Sequence, residues 1–82
     1  MNKKRILVES INDGEYTIVK EERENHPGRY KACLYHGDYK LAACKDDKIT
    51  LKSHEKIPDE CLESLKRQWR KIADEEARAD IA

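Results

Sequence analysis

The sequence predicts a small α+β fold, in which an antiparallel β-meander of four to five strands is packed by one C-terminal amphipathic α-helix. Three observations predict it. Short β-prone runs alternate with turn signals from Ile6 to Leu51. From Pro58 onward, the spacing of apolar residues changes to the period of a helix. The chain has 82 residues and no internal repeat or linker, so we expect a single domain over residues 1–82.

Two hairpins and a fifth run make up the predicted sheet. Asn12-Asp13-Gly14 is a turn signal between two β-prone runs, and Gly37-Asp38 separates two more. The polar stretch that ends in His26-Pro27-Gly28 is predicted to be a loop, because proline lacks the amide that a strand ladder needs. The predicted strands cover residues 4–11, 15–23, 29–36, 39–45 and 48–52.

Strand alternation assigns the side chains of the third and fourth strands to two faces. The expected core face carries Tyr30, Ala32, Leu34, His36, Tyr39, Leu41 and Ala43. The opposite face, which we call the second face, is expected to carry Lys31, Cys33, Tyr35, Lys40, Ala42 and Cys44. One helix covers one face of a sheet, so we expect the second face to be partly apolar and uncovered, unless the sheet rolls into a barrel or another chain covers it.

The helix is predicted over residues 58–79. Pro58 suits a first helical turn, and Asp59 and Glu60 suit the positive end of the helix dipole. Packing is expected to end near Ala73, with residues 74–82 projecting beyond the sheet or fraying. The apolar stripe consists of Cys61, Leu62, Leu65, Trp69, Ile72 and Ala73.

The composition excludes several classes of protein. No apolar run reaches the roughly 18–20 residues of a membrane span. The first apolar run turns into charged sequence at Glu9, too early for a secretory leader. Three cysteines are an odd number, which argues against a disulfide framework. We therefore expect a cytoplasmic protein with reduced thiols and no membrane partner.

Metal binding and catalysis have little support in the sequence. Cys33 and His36 lie three positions apart in a predicted strand and point to opposite faces, and no Cys-x-x-Cys pair is present. A Cys33 and Cys44 pair across the hairpin is a candidate for oxidation in air. The acidic clusters at residues 21–24 and 74–76 lack the ligand spacing of a calcium loop. The candidate zinc ligands in the sequence are Cys33, His36, Cys44, His54 and Cys61. We expect no metal, no cofactor and no enzymatic activity.

Binding of single-stranded nucleic acid, as a transcription-regulatory module for example, is the alternative function. Residues 29–56 carry seven basic and four acidic side chains, although the formal net charge of the whole chain is zero. Tyr35 lies among Lys31 and Lys40 on the predicted second face. An aromatic side chain among cations on an open sheet is the arrangement that stacks bases and neutralises phosphates.

The order of strands followed by one helix supports the same alternative. The residues that indicate this order are the β-prone run Ile49-Thr50-Leu51 and the helix stripe of Leu62, Leu65 and Ile72. This layout resembles that of single-strand-binding transcription cofactors of the positive-cofactor-4 and Whirly type. The strongly basic strands of that group are absent from this sequence.

A protein-interaction module is the expected function. Small apolar positions beside an aromatic and charged rim are typical of an interface with a partner or, in a homodimer, with a second copy. Small, densely charged chains without catalytic groups are frequent among phage and mobile-element proteins that inhibit or regulate a host complex, so we expect that class. The predicted partner-binding residues are Lys31, Cys33, Tyr35, Lys40, Ala42 and Cys44. A secondary basic patch consists of Lys66, Arg67, Arg70 and Lys71.

Overall fold

Five strands and one helix form the molecule, of which a computed structural model describes residues 5–81. The strands form one antiparallel sheet in the order β1-β2-β3-β4-β5, and α1 packs on one face of it. The predicted meander with one C-terminal helix is confirmed, while Lys4, the predicted start of β1, lies outside the described residues. The elements are β1 (Arg5–Ile11), β2 (Tyr16–Arg23), β3 (His26–His36), β4 (Tyr39–Lys45), β5 (Lys48–Leu51) and α1 (Asp59–Ile81).

The sheet is open over the described residues. β1 pairs with β2 alone, and β5 pairs with β4 alone, so the two outer strands do not close a barrel within residues 5–81. Over the same residues, no helix combines the length and the apolar composition that crossing a membrane requires.

The β4–β5 connection is a two-residue turn of left-handed backbone. Asp46 and Asp47 have φ of 55° and 63°, and Lys45 pairs with Lys48 on either side of them. Two consecutive residues with positive φ form the type of turn whose twist matches antiparallel strands. Aspartate tolerates this backbone better than most residues, which explains why the sequence has Asp-Asp here.

The start of β3 differs from the prediction. The strand begins at His26 rather than at residue 29, because the ladder between β2 and β3 continues past a register shift that follows Glu22. Gly28 adopts a φ of 82° within this strand, and its amide donates to the Glu22 carboxylate at 3.2 Å. The Pro27-Gly28 pair, which predicts a loop, therefore lies in an irregular part of β3.

A β-bulge in β4 changes the direction of its side chains. Tyr35 of β3 pairs with Lys40, but Leu34 pairs with Ala42, so Leu41 is an extra residue in β4. Side chains alternate with a period of two along a strand, and one inserted residue therefore exchanges the faces of all residues that follow it.

The bulge overturns part of the predicted face assignment. Ala42 and Cys44 are fully buried in the core against α1, whereas Ala43 packs with Cys33 and Tyr35 on the second face. The expectation that Ala42 and Cys44 lie on the second face, with Ala43 on the core face, is wrong. Its physical reason is the extra residue at Leu41.

The core lies between α1 and the sheet. Burying a large apolar side chain contributes about 1.5–3 kcal/mol relative to leaving it in water, so this layer is the main source of stability. The helix stripe predicted from the sequence supplies Cys61, Leu65, Trp69 and Ile72 to the core. The sheet supplies Tyr16, Ile18, Ala32, Leu34, Leu41, Ala42 and Cys44.

Contacts between α1 and the sheet extend beyond Ala73. The Glu76 carboxylate accepts a hydrogen bond from the backbone amide of Tyr30 at 2.8 Å, and the Glu75 carboxylate lies 3.3 Å from Nζ of Lys20. The expectation that packing ends near Ala73 is therefore wrong by about one helical turn. Apolar periodicity does not register these polar contacts. Of the segment expected to project, residue 82 lies outside the described residues.

Candidate interaction surface

The predicted partner-binding residues are divided between the two sides of the sheet. Lys31, Cys33, Tyr35 and Lys40 lie on the second face, as expected from the register of β2, β3 and β4. Ala42 and Cys44 lie under α1 and are fully buried. A partner reaches these two residues only by displacing the helix.

A buried carboxylate occupies the middle of the second face. Glu21 of β2 is 1% exposed. The Tyr35 hydroxyl donates to its Oε2 at 3.1 Å, and Nζ of Lys40 donates to its Oε1 at 3.2 Å. Nε of Arg5 lies 3.4 Å from Oε2. One buried negative charge is therefore shared by two cations and a phenol, and we call these four residues, with the adjacent Cys33, the Glu21 cluster.

The cations keep Glu21 ionised despite its burial. Burial alone raises the pKa of this carboxyl group, but the hydrogen bond and charge of Lys40, the Tyr35 hydrogen bond and the Arg5 charge outweigh burial and lower the pKa below its ordinary value. Burial and the Glu21 charge have the opposite effect on the thiol, and they raise the pKa of Cys33 to about 11. Cys33 is therefore protonated and unreactive at neutral pH.

The Glu21 cluster covers the apolar part of the second face. Cys33 is fully buried, and Tyr35 and Ala43 are nearly so. The Arg5 guanidinium and the Lys40 ammonium group lie 5.4 and 5.8 Å from the centre of the Tyr35 ring. The protein's own side chains thus cover the surface that the sequence predicted to be open.

The same geometry removes the arrangement on which nucleic-acid binding was based. Tyr35 is only 8% exposed, and its hydroxyl group donates a hydrogen bond to Glu21. Lys40 is bonded to the same carboxylate. Base stacking needs an accessible ring face, and neutralisation of a phosphate needs an accessible cation, whereas the Lys40 side chain is only 26% exposed.

The predicted basic patch on α1 is bordered by β1 on one side and by the turn between β4 and β5 on the other. Nη2 of Arg67 lies 3.0 Å from the Glu9 carboxylate of β1. Nε of Arg70 lies 4.0 Å from Asp47, in the turn between β4 and β5. Lys66 and Lys71 are exposed. The four cations are neighbours on the exposed side of α1, and two of them are paired with carboxylates at its borders.

The exposed apolar surface that sequence reasoning missed lies on β1. Ile6, Leu7 and Val8 are 48%, 60% and 36% exposed, and they are consecutive in an outer strand. A bulge between Leu7 and Glu9 leaves Val8 without a partner residue in β2. An unpaired outer strand presents main-chain groups to which another strand can add, and Ile6 and Leu7 lie on the regular part of β1 before the bulge. We call Ile6, Leu7 and Val8 the β1 triplet.

Glu9 holds the β1 triplet against the helix. Its carboxylate accepts hydrogen bonds from Gln68 at 2.7 Å and from Arg67 at 3.0 and 3.2 Å. Burial alone raises the pKa of Glu9, but hydrogen bonds from Gln68, Ser64 and Arg67, with the Arg67 charge, lower it below its ordinary value. The ionised Glu9 carboxylate, one residue beyond the triplet, therefore connects this outer strand to α1.

A histidine ties the β5–α1 connection to the sheet. Nδ1 of His36 lies 2.6 Å from the Glu55 carboxylate, and Nε2 lies 3.5 Å from that of Glu15. The imidazole ring stacks on Tyr16 with 4.6 Å between ring centres. The two carboxylates approach different ring nitrogens, so the three side chains link this connection to the sheet and do not converge as ligands on one ion.

The three thiols are free and buried. Cys33 pairs with Ala43, whereas Cys44 pairs with Ala32, so Cys33 and Cys44 lie on opposite faces of the sheet. The expectation that they form an oxidisable pair is wrong, again because of the bulge. Over residues 5–81, no group of three or more His, Cys, Asp and Glu residues is arranged to hold a metal ion.

Comparisons of the chain with protein-family models, with curated proteins and with solved structures give no match. A functional proposal therefore depends on the chemistry of the surfaces described above.

Proposed function

We propose that this protein is a non-enzymatic protein-interaction module that binds its partner along the outer edge of β1. One observation carries the proposal. The β1 triplet places three consecutive apolar side chains, each 36–60% exposed, on a strand whose outer edge is unpaired within residues 5–81. A partner strand that pairs with this edge satisfies the main-chain groups of β1 and covers the triplet in one step.

Covering the β1 triplet supplies part of the free energy that a specific interaction requires. Full burial of a large aliphatic side chain contributes about 1.5–3 kcal/mol. Since the β1 triplet is about half exposed, covering it contributes roughly 2–4 kcal/mol before the entropy of association is subtracted. Main-chain hydrogen bonds to the added strand contribute further. The hydrogen bonds from α1 to Glu9 already hold β1 in place, which reduces the conformational entropy that β1 loses on binding.

The second face is a weaker candidate for the same function. Its apolar residues are already covered by the Glu21 cluster, and a partner would have to separate Lys40 and Arg5 from a buried carboxylate. Leaving such a charge buried and unpaired is strongly destabilising. The β1 edge requires no such rearrangement.

Capture with a matched pair of variants tests the proposal. Leu7 on β1 and Leu51 on β5 are exposed leucines on the two outer strands, at 60% and 64%. Tagged wild-type protein, Leu7→Lys and Leu51→Lys are used to capture proteins from the source cell, and recovery is measured by quantitative mass spectrometry. We expect Leu7→Lys alone to lower recovery of the partner about tenfold, which corresponds to about 1.4 kcal/mol.

The same experiment has outcomes that contradict the proposal. Equal recovery of the partner by wild type and Leu7→Lys excludes the β1 edge. Recovery of nucleic acid alone, lost steeply as salt rises, favours the alternative function. The identity of the captured protein also answers whether the partner is a host complex, as expected for an inhibitor or regulator from a phage or mobile element.

A further inference from the structure

The charge on the second-face side of the β1 triplet is positive. Arg5 directly precedes the triplet, and its side chain is 56% exposed. The carboxylate that it approaches, Glu21, also accepts a hydrogen bond from Lys40. One negative charge therefore faces two positive charges, and a net positive charge remains at this end of the strand. In the sequence, Lys3 and Lys4 come immediately before Arg5.

The helix side of the triplet is also positive. Arg67 of α1 contacts Glu9 of β1, and Glu75 contacts Lys20, which is the cross-strand neighbour of Ile6. Lys71 lies one helical turn from each of these two helix residues, so it occupies the same side of α1 between them. Lys71 is exposed. An ammonium group therefore lies on the helix surface that borders the triplet.

The arrangement of charge argues against a second copy of this chain as the occupant. An antiparallel copy centred on Leu7 brings Arg5 level with Glu9 of the other molecule. The bulge, however, turns Glu9 to the helix side, where Arg67 and Gln68 already bind it. Arg5 points to the second face, so in that pairing the Arg5 and Glu9 side chains lie on opposite faces of the sheet.

We infer that the partner contributes an extended acidic segment, in which two or three apolar residues lie against the β1 triplet and carboxylates flank them on either side. This inference rests on the proposed function and names the chemistry of the partner. Main-chain hydrogen bonds give such a complex its affinity whatever the sequence. The flanking carboxylates, facing Arg5 and Lys71, give it charge selectivity and a dependence on salt.

Two synthetic peptides with opposite flanks test the inference. Both are capped at their ends, and they read Asp-Glu-Val-Ile-Val-Glu-Asp and Lys-Lys-Val-Ile-Val-Lys-Lys. Each is titrated into the full-length, isotope-labelled protein, and amide shifts are followed by NMR at about 50 and about 500 mM salt. We expect the acidic peptide to shift the amides of residues 5–11 and to bind about tenfold more tightly than the basic peptide at low salt, with the difference shrinking at high salt.

A pair of lysine variants provides the control on the protein. Lys71→Glu is expected to weaken binding of the acidic peptide about threefold to fivefold, as a rim charge does. Lys66→Glu reverses another exposed charge, on the side of α1 nearer Cys44 and Asp47, and it is expected to leave binding unchanged. Equal effects of the two variants would overturn the placement of Lys71 beside the binding edge.

The outcomes separate this inference from the proposed function. If both peptides bind at β1 with equal affinity, or the basic one binds more tightly, the acidic partner is overturned while binding at the β1 edge stands. If the protein self-associates through residues 5–11 in analytical ultracentrifugation and NMR, the occupant is a second copy and the inference is also overturned. If neither peptide shifts β1, both the inference and strand addition at this edge are contradicted.

Discussion

Replacing Glu21 with glutamine removes the charge that closes the second face while preserving the shape of the side chain. Glu21 is 1% exposed and accepts hydrogen bonds from Tyr35 and Lys40 at 3.1 and 3.2 Å. Its carboxylate also lies 3.4 Å from Nε of Arg5. Glu21→Gln therefore leaves two cations without their shared counter-charge.

The expected loss of stability follows from these contacts. Breaking a fully buried ion pair costs about 3–5 kcal/mol. Here the side chains of Lys40 and Arg5 are 26% and 56% exposed, so water replaces part of the lost interaction. We expect Glu21→Gln to lower the free energy of unfolding by about 2 kcal/mol, and the Tm by roughly 8–16 °C in a domain of this size.

The pH dependence has a definite sign. The pKa of Glu21 is lower in the folded protein than its ordinary value, because Lys40, Tyr35 and Arg5 outweigh the effect of burial. The carboxylate therefore contributes stability above the unfolded pKa of about 4.3, and this contribution is lost as the pH falls through the lower folded value. Wild type and Glu21→Gln should accordingly differ most near pH 7 and least near pH 3.

Urea unfolding followed by the fluorescence of Trp69, the single tryptophan, measures this effect at both pH values. Glu75→Gln is the matched control, because its carboxylate is 64% exposed and its ion pair is with Lys20 at the surface. We expect the control to change stability by less than about 0.5 kcal/mol. If Glu21→Gln also stays within that range at pH 7, the idea that cations hold this buried carboxylate is refuted.

Three further predictions follow from burial. Trp69→Ala should lower stability by about 3–5 kcal/mol in urea unfolding followed by circular dichroism, and a loss below about 1 kcal/mol would contradict the placement of Trp69 in the core. Under mild oxidation, mass spectrometry should detect no Cys33–Cys44 disulfide in the native protein, because the two thiols lie on opposite faces; a linked peptide would contradict the bulge. Leu7→Lys should leave the Tm nearly unchanged, because Leu7 is exposed, and a large decrease would place it in the core.

The architecture follows from patterns that a single sequence carries. The helix stripe with Leu65 and Trp69 repeats at the helical period, and it lies in the core as predicted. The turn residues at Asn12-Asp13-Gly14 and Gly37-Asp38 separate the strands, as the sequence predicts. These features are local, so the sequence is sufficient to find them.

The position of the bulge does not follow from the sequence. Residues 41–44 of β4 read Leu-Ala-Ala-Cys, and all four are apolar, so neither alternation of polarity nor composition indicates which side each residue faces. The extra residue at Leu41 becomes visible only when β4 is aligned with β3. For that reason, simple alternation along the sequence predicts the wrong face for Ala42 and Cys44.

The sequence alone shows neither the Glu21 cluster nor the exposure of the β1 triplet, because both depend on which strands are neighbours in the sheet. Glu21 forms ion pairs with Arg5 and Lys40, which lie on two other strands. In the sequence, however, Glu21 is part of the acidic cluster at residues 21–24, and nothing there indicates these partners. The β1 triplet reads as an ordinary buried strand, because a sequence does not show which strand lies at the edge of a sheet. Strand order supplies that information, and here it places the triplet in an outer strand.

Hydrogen exchange of the β1 amides, measured with and without the partner that the wild-type protein captures, tests binding at the β1 edge most directly. We predict that the partner slows exchange within residues 5–11 and leaves the amides of Cys33 and Tyr35 on the second face unchanged. Slower exchange at Cys33 and Tyr35, or along α1, with no change in β1 would contradict strand addition at this edge.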